Sequence, residues 1–174
     1  MYNVAIIGAG PAGIFSALEI VKLKPDWKVV LIEKGERIED RKCLLREGYA
    51  KCPSCKKCGL LCGWGGAGAF SDGKLTLTPD VGGNLVDYMS RKDVEDLIDY
   101  ADNLYLKFGA TKEVFGTDPK IFHEIERKAA LAELKLVHSP VRHLGTERSL
   151  DVLKNMQDYL SENITILNNV SAKS

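Results

Sequence analysis

The stretch that decides the fold is YNVAIIGAGPAGIFSALEI, residues 2–20. The β-branched run at residues 4–7 predicts a buried strand, and the helical spacing of apolar residues from Ile14 onward predicts a helix. Glycines join the two in the pattern G-x-G-x-x-G. A strand, a glycine turn and a helix in this order are typical of a dinucleotide-binding βαβ unit.

Each glycine has its own physical role in such a unit. Gly8 permits the tight turn, Gly10 lets the backbone approach a pyrophosphate, and Gly13 lets the helix pack closely on the strand. Pro11 and Ala12 open the helix, whose N-terminus offers free N–H groups and the positive end of its dipole. These five residues are therefore predicted to bind a cofactor. A structural turn without a ligand is the alternative.

The stretch WKVVLIE, residues 27–33, predicts a second buried strand that ends in an acid. Glu33 lies 20 residues after Gly13, where a carboxylate can accept hydrogen bonds from both hydroxyls of an adenosine ribose. The acid disfavours a 2′-phosphorylated cofactor because two negative groups repel each other. The motif predicts FAD or NAD and does not separate them.

The next segment, KGERIEDRK at residues 34–42, is dense in charge. Lys34, Arg41 and Lys42 are candidates for contact with the cofactor phosphates. A solvated connector is the equally simple interpretation.

The rest of the chain predicts three further helices and two more strands. Ser90 and Asp93 form a capping box before a helix over residues 90–108, and Asp118 caps a helix that runs to about Glu133. LKLVHSPVRHLGT, residues 134–146, predicts a short strand and an irregular loop, and a helix follows over residues 149–160. ITILNNV, residues 164–170, predicts a buried strand.

These elements predict an α/β fold, a Rossmann-like FAD/NAD(P)-binding βαβ half with an inserted, mainly helical segment, incomplete in this chain. The predicted division is a βαβ unit at residues 1–42, a Cys/Gly-rich cofactor loop at 43–89, a mainly helical insertion at 90–163, and a strand at 164–174 that returns to the nucleotide-binding sheet.

Composition excludes several classes of function. The 174 residues carry 24 Lys and Arg and 24 Asp and Glu, a balance that argues against a nucleic-acid surface. The longest apolar run is too short to span a bilayer, and no signal peptide is evident. Five cysteines, four of them in one loop, favour a reduced, cytoplasmic protein over a secreted disulfide framework.

Those four cysteines follow the spacing C-x₂-C-x₂-C-x₃-C. Bacterial ferredoxins use this run to bind an iron–sulfur cluster, although glycine and not proline follows the last cysteine here. The candidate ligands of a [4Fe-4S] cluster, or of zinc, are Cys52, Cys55, Cys58 and Cys62. A reduced surface loop or a redox dithiol pair is the alternative.

Three longer motifs carry a family resemblance. VAIIGAGPAGIFSALE with Glu33 resembles the FAD-binding start of the glutathione-reductase-like flavoproteins. GWGGAGAFSDGKLTLTPDVGG and SPVRHLGTE together resemble the uncharacterised FAD-dependent dehydrogenase family of bacteria, the predicted NAD/FAD-utilising dehydrogenases. Members of that family are much longer. The resemblance implies an FAD domain interrupted by a substrate-domain insertion, and a later glycine-aspartate motif that this chain lacks.

The resemblance also implies roles for the second glycine loop. Its small residues would lie beside the pyrophosphate and the isoalloxazine, and the polar residues that follow would reach the flavin or the substrate. The residues so implied are Gly65, Gly66, Ala67, Gly68, Ser71, Asp72 and Lys74. In a flavin enzyme His143 is a candidate proton donor or acceptor, and Arg142 is a candidate for binding a substrate carboxylate. A tight glycine turn and a turn-capping histidine are the alternatives.

The predicted function is that of an FAD-dependent oxidoreductase that transfers hydride between the flavin and a small substrate, with NAD(P)H as a possible electron partner. One alternative is a non-redox transferase that resembles the thiazole-synthase flavoproteins and uses cysteine sulfur. Another is a nucleotide-binding module that holds an iron–sulfur cluster or zinc and performs no catalysis.

Overall fold

A computed structural model describes residues 1–173 and shows an α/β chain with a parallel sheet. The strands are β1 Val4–Ile7, β2 Val29–Ile32, β3 Lys74–Thr76, β4 Val141–His143 and β5 Thr165–Leu167. The helices are α1 Pro11–Leu23, α2 Arg91–Lys107, α3 Pro119–Leu131 and α4 Gly145–Asn163. The chain forms two compact units. Unit 1 comprises Met1–Ser71 and the chain from Ser149 onward, and unit 2 comprises Asp72–Arg148. The four-segment division from the sequence stays a prediction.

Unit 1 is built on a three-stranded parallel sheet in the order β1-β2-β5. Val4 of β1 lies opposite Val29 of β2, and Val30 of β2 lies opposite Thr165 of β5. The central strand is the most deeply buried, with Leu31 fully excluded from solvent. Strands buried on both faces read as continuous apolar runs, and this explains the VVLI sequence of β2.

Helix α1 packs its apolar face into the core of unit 1. Ile14, Ala17 and Leu18 are buried, at the helical spacing read from the sequence. The predicted strand–turn–helix order of the opening stretch is confirmed.

The second part of the core of unit 1 forms around Trp64, which is fully buried. Its indole Nε1–H donates to the carbonyl oxygen of Leu153 on α4 at 2.9 Å. Met156 and Leu160, on the same helix, are also fully buried. The loop that carries Trp64 is therefore anchored to α4 by both packing and a hydrogen bond.

Unit 2 contains two capped helices and a short antiparallel ribbon. The Ser90 side chain accepts from the N–H of Asp93 at the start of α2, and the Asp118 side chain accepts from Lys120 N–H and Ile121 N–H at the start of α3. Both caps confirm the predicted helix starts. The ribbon pairs β3 with β4.

The structure specifies two elements further than the sequence did. The short strand predicted within residues 134–146 is Val141–His143, which pairs with β3. The strand β3 itself had no signal in the sequence. Helix α4 begins at Gly145, four residues before the predicted start. Among the described residues, no helix has the length and apolar character needed to cross a membrane.

Candidate functional site

The glycine turn lies at the carboxyl ends of β1 and β2 in unit 1. The N–H of Gly8 donates to the carbonyl oxygen of Ile32 at 2.8 Å, which joins the turn to the end of β2. Gly8 has φ +95°, in the region that favours glycine. A Cβ on Gly13 would lie 2.0 Å from the Gly8 carbonyl oxygen. The close packing predicted for Gly13 is therefore confirmed.

The N-terminus of α1 is open. Gly10 precedes the helix with φ −76°, no side chain caps the helix, and its first turn contains no acid. A Cβ built on Gly10 would meet nothing within 4 Å. Pro11 opens the helix and Ala12 is exposed. Uncapped amides and a positive dipole end with free space beside them suit an anionic group such as a phosphate.

Glu33 lies next to this turn and is only 6% exposed. Its Oε2 accepts from the N–H of Ala9 at 2.8 Å. Its Oε1 accepts from the N–H of Gly35 at 2.8 Å and from the N–H of Gly63 at 3.0 Å. The carboxylate thus joins the glycine turn, the end of β2 and the second glycine loop.

These contacts bear on the role predicted for Glu33. A carboxylate offers about four lone-pair directions, and backbone amides take three of them here. A ribose hydroxyl would use the remaining direction or replace an amide. The contact with ribose stays a prediction, and the observed role of Glu33 is to hold the turn.

Arg41 is 6% exposed and donates to backbone carbonyl oxygens of the loop at residues 59–66. Nε donates to Gly59 at 3.1 Å and Nη2 to Leu60 at 2.9 Å. Nη1 donates to both Trp64 and Gly66. The guanidinium therefore binds the loop itself, whereas the sequence suggested the cofactor phosphates.

The electrostatic setting of Arg41 fits this structural role. Burial lowers the pKa of the guanidinium, while the negative charge of Glu33 acts in the opposite direction. The guanidinium carbon also lies 4.8 Å from the centroid of the Phe70 ring. The other cations predicted to approach a phosphate, Lys34 and Lys42, are exposed.

The second glycine loop adjoins the first. The N–H of Gly65 donates to the carbonyl oxygen of Ala9 at 2.8 Å, and a Cβ on Gly66 would lie 3.4 Å from the Cα of Gly10. The two predicted glycine motifs thus meet in unit 1. The N–H of Gly66 donates to the carbonyl oxygen of Gly63, so the N–H groups of both Gly65 and Gly66 bond within the protein. Their contact with a cofactor stays a prediction.

The residues that follow are more open. Ala67 and Gly68 are exposed, within a 3-10 turn over Gly66–Phe70. The Ser71 hydroxyl donates to the carbonyl oxygen of Gly68 at 2.8 Å. In this loop the predicted cofactor residues Ala67, Gly68 and Ser71 are therefore accessible from solvent.

The cysteine run is not gathered into one site. Cys52 and Cys55 are exposed, Cys58 and Cys62 are half-buried, and none of them forms a disulfide. Within residues 1–173 no group of three or more His, Cys, Asp or Glu side chains is placed to hold a metal ion. Bound iron–sulfur or zinc stays a prediction.

In unit 2 the β3–β4 ribbon brings three predicted site residues together. The Lys74 Nζ lies 2.7 Å from the Asp72 carboxylate. Lys74 lies opposite His143 in the strand register. The hydrogen bond from Lys74 lowers the pKa of Asp72, and the charges of Lys74 and His143 lower it further. All three residues are exposed, so they form an accessible polar cluster.

Arg142, which directly precedes His143, is 4% exposed and forms hydrogen bonds within unit 2. Nε and Nη2 each donate to the Asp102 carboxylate at 2.6 Å, and Nη1 donates to the carbonyl oxygen of Thr111. The hydrogen bond with Asp102 raises the pKa of Arg142. Arg142 does bind a carboxylate, but this carboxylate belongs to Asp102. A substrate would have to displace it.

Sequence reasoning missed two residues that shape these surroundings. Trp64 fixes the second glycine loop on α4, and the only signal was an aromatic residue between small ones. Asp102 is the partner of Arg142, 40 residues away in the chain. Nothing in the helical pattern around Asp102 distinguishes it from a solvated acid.

The chain shows only limited similarity to known proteins. No protein-family model matches the chain. A relative described as an uncharacterized protein, from Clostridium beijerinckii, is 38% identical over 71 residues, which are 41% of this chain and 13% of that relative.

Two solved structures illustrate a weak structural likeness. The L-amino acid deaminase from Proteus myxofaciens, in complex with anthranilate, has a TM-score of 0.43 at 12% identity, covering 97% of this chain and 38% of that one. The L-amino acid deaminase from Proteus vulgaris with its specific insertion sequence deleted has a TM-score of 0.31 at 14% identity, covering 100% and 47%. The chain spans less than half the length of each of these proteins, so its activity and partners are matters for proposal.

Proposed function

We propose that unit 1 binds the ADP portion of FAD and that the protein is an FAD-dependent oxidoreductase acting on a small substrate. The observation that carries the proposal is the open N-terminus of α1. A Cβ on Gly10 would meet nothing within 4 Å, while one on Gly13 would meet the Gly8 carbonyl oxygen at 2.0 Å. The glycines are thus tight where the helix packs and open where a pyrophosphate would lie.

The donor set fits an ADP group in part. The uncapped amides at Ala12 and Gly13 would hold the pyrophosphate, with Gly10 leaving room for it. The exposed Ala67 and Gly68 would face the flavin side of the cofactor. Glu33 would contact the ribose through its remaining lone pair. FAD, when bound, supplies the hydride chemistry.

The exposed cluster of Asp72, Lys74 and His143 is our candidate for proton handling during the reaction. Lys74 is held by Asp72 at 2.7 Å and lies beside His143 in the ribbon, so its ammonium group has a fixed neighbour. A histidine can donate or accept a proton near neutral pH. NAD(P)H as the electron partner and a cytoplasmic location are further parts of this proposal.

The test is the substitution Gly10→Val. Because a Cβ there meets nothing within 4 Å and φ is −76°, we expect the fold to accept valine, whose side chain would occupy the space proposed for the pyrophosphate. We expect FAD affinity to fall by at least about 100-fold, as a side chain excludes the ligand. The melting temperature should stay unchanged.

The matched control is Gly83→Val, since a Cβ on Gly83 also meets nothing within 4 Å and it lies in unit 2. This variant should bind FAD like the parent protein. Equal FAD affinity in both variants would refute the proposed site.

A further inference from the structure

Cys58 and Cys62 stand at the two ends of one hydrogen-bonded turn. The N–H of Cys62 donates to the carbonyl oxygen of Cys58 at 2.8 Å, which is the bond of an α-helical turn. Both side chains are half-buried, whereas Cys52 and Cys55 are exposed. In a full helical turn, residues four apart lie on the same side with Cβ atoms about 5–6 Å apart. The hydrogen bond therefore brings Cys58 and Cys62 close together across one turn of the chain.

The same turn carries two of the bonds that hold the second glycine loop. Arg41 donates to Gly59 at 3.1 Å and to Leu60 at 2.9 Å. Both carbonyls belong to residues between the two cysteines. Any change in the shape of the turn therefore acts on the Arg41 contacts.

The chain directly after the turn packs tightly against the backbone at Gly35. A Cβ on Gly35 would lie 2.5 Å from the carbonyl carbon of Cys62 and 2.3 Å from the nitrogen of Gly63. The N–H of Gly63 donates to Glu33 at 3.0 Å. A movement of Cys62 is thus transmitted to the carboxylate that holds the glycine turn.

We propose that Cys58 and Cys62 form a reversible disulfide whose formation loosens the loop at residues 59–66 and weakens nucleotide binding. Each thiol gives up one proton, and the pair gives up two electrons as the Sγ–Sγ bond forms. A low-molecular-weight disulfide accepts the electrons and protons and is cleaved to two thiols. The effect on nucleotide binding rests on the proposed function, whereas the disulfide itself does not.

The geometry of a disulfide explains why its formation between Cys58 and Cys62 would disturb the hydrogen bonds from Arg41 to Gly59 and Leu60. A disulfide requires Cβ atoms about 3.5–4.5 Å apart, so the turn must contract by about 1–2 Å from its helical spacing. The carbonyls of Gly59 and Leu60 then move relative to Arg41. A strained disulfide is also readily reduced, which makes the change reversible.

The first experiment uses the full chain with Cys43→Ser, Cys52→Ser and Cys55→Ser, so that only the pair remains. Glutathione disulfide should convert the folded protein to a form lighter by two hydrogen atoms, and peptide mapping should join Cys58 to Cys62. The matched control adds Cys62→Ser. It should form only a glutathione adduct.

The second measurement reports on the loop. Trp64 is fully buried, and the other tryptophan, Trp27, is 43% exposed. In a Trp27→Phe background, oxidation should shift the emission of Trp64 to longer wavelength, and reduced glutathione should restore it. Affinity for FAD should fall about tenfold on oxidation, as expected for the loss of one hydrogen bond to a charged group.

Three results would overturn the inference. The first is the absence of the Cys58–Cys62 disulfide while the protein remains folded, and the second is an oxidised protein with unchanged Trp64 emission. The third is stoichiometric iron or zinc in the anaerobically purified natural sequence, lost on Cys58→Ser. If the reduced chain binds no FAD, the proposed function fails, and the disulfide and emission results still decide this inference.

Discussion

The substitution Arg41→Ala removes a side chain that connects the loop at residues 59–66 to the rest of unit 1. Arg41 is 6% exposed, and its guanidinium donates to the carbonyl oxygens of Gly59, Leu60, Trp64 and Gly66. Alanine leaves those acceptors without their donor. It also leaves the buried carboxylate of Glu33 without the positive charge that acts on it.

The expected loss is large on the scale of a folded domain. Removing one partner from a buried charged network costs about 3–5 kcal/mol. The total free energy of unfolding of a domain is about 5–15 kcal/mol. We therefore expect Arg41→Ala to lower the free energy of unfolding by about 3–5 kcal/mol. Arg41→Lys should recover less than half of this, because an ammonium cannot reproduce the planar fork.

The matched control is Arg46→Ala. The guanidinium carbons of Arg41 and Arg46 each lie 4.8 Å from the centroid of the Phe70 ring, but Arg46 is exposed. Its removal should cost about 1 kcal/mol or less. Urea denaturation followed by circular dichroism measures both variants. The reasoning is refuted if Arg41→Ala lies within about 1 kcal/mol of Arg46→Ala.

Two further predictions concern packing and pH. Gly13→Ala should destabilise the protein by about 1–3 kcal/mol, because the new Cβ would lie 2.0 Å from the Gly8 carbonyl oxygen. The control is Gly10→Ala, whose Cβ meets nothing within 4 Å and which should change the melting temperature little. A similar melting temperature for both variants would contradict this. The hydrogen bond from Arg91 lowers the pKa of Asp80 from 3.8 to about 2. The ion pair therefore stabilises the fold fully at pH values above the pKa that Asp80 has in the unfolded chain, and this stabilisation is lost as the pH falls toward about 2. Asp80→Asn should flatten the fall in melting temperature over that acidic range, and an unchanged pH profile would count against the pair.

The elements that the sequence predicted well are those with local signals. The opening strand, turn and helix follow from adjacent apolar residues and glycines, and the starts of α2 and α3 follow from Ser90 and Asp118. Capping and periodicity depend on neighbours within a few residues. Strands β3 and β4 have three residues each, too few for an alternating pattern to be read.

The roles of the buried charges could not be read in the same way. Arg41 bonds backbone carbonyls, which every residue has, so its partners have no signature in the sequence. Arg142 and Asp102 are 40 residues apart. In both cases the residue type correctly indicated a group that binds oxygen atoms. The identity of the oxygen depended on tertiary packing.

Glu33 shows the same limit at the candidate site itself. Its position after β2 predicted a ribose contact, which stays a prediction, while the observed partners of its carboxylate are the N–H groups of Ala9, Gly35 and Gly63. A carboxylate at the end of a strand near a glycine turn can serve either partner, because both offer hydrogen-bond donors. The sequence spacing alone does not distinguish them.

The most direct test of the central claim is a measurement of equilibrium FAD binding to the reduced chain, with flavin fluorescence as the readout and ADP as the competitor. We expect saturable binding of FAD, displacement of FAD by ADP, and loss of both in Gly10→Val without a change in melting temperature. Absence of FAD binding, or binding that neither ADP nor Gly10→Val affects, would contradict a nucleotide site at the N-terminus of α1.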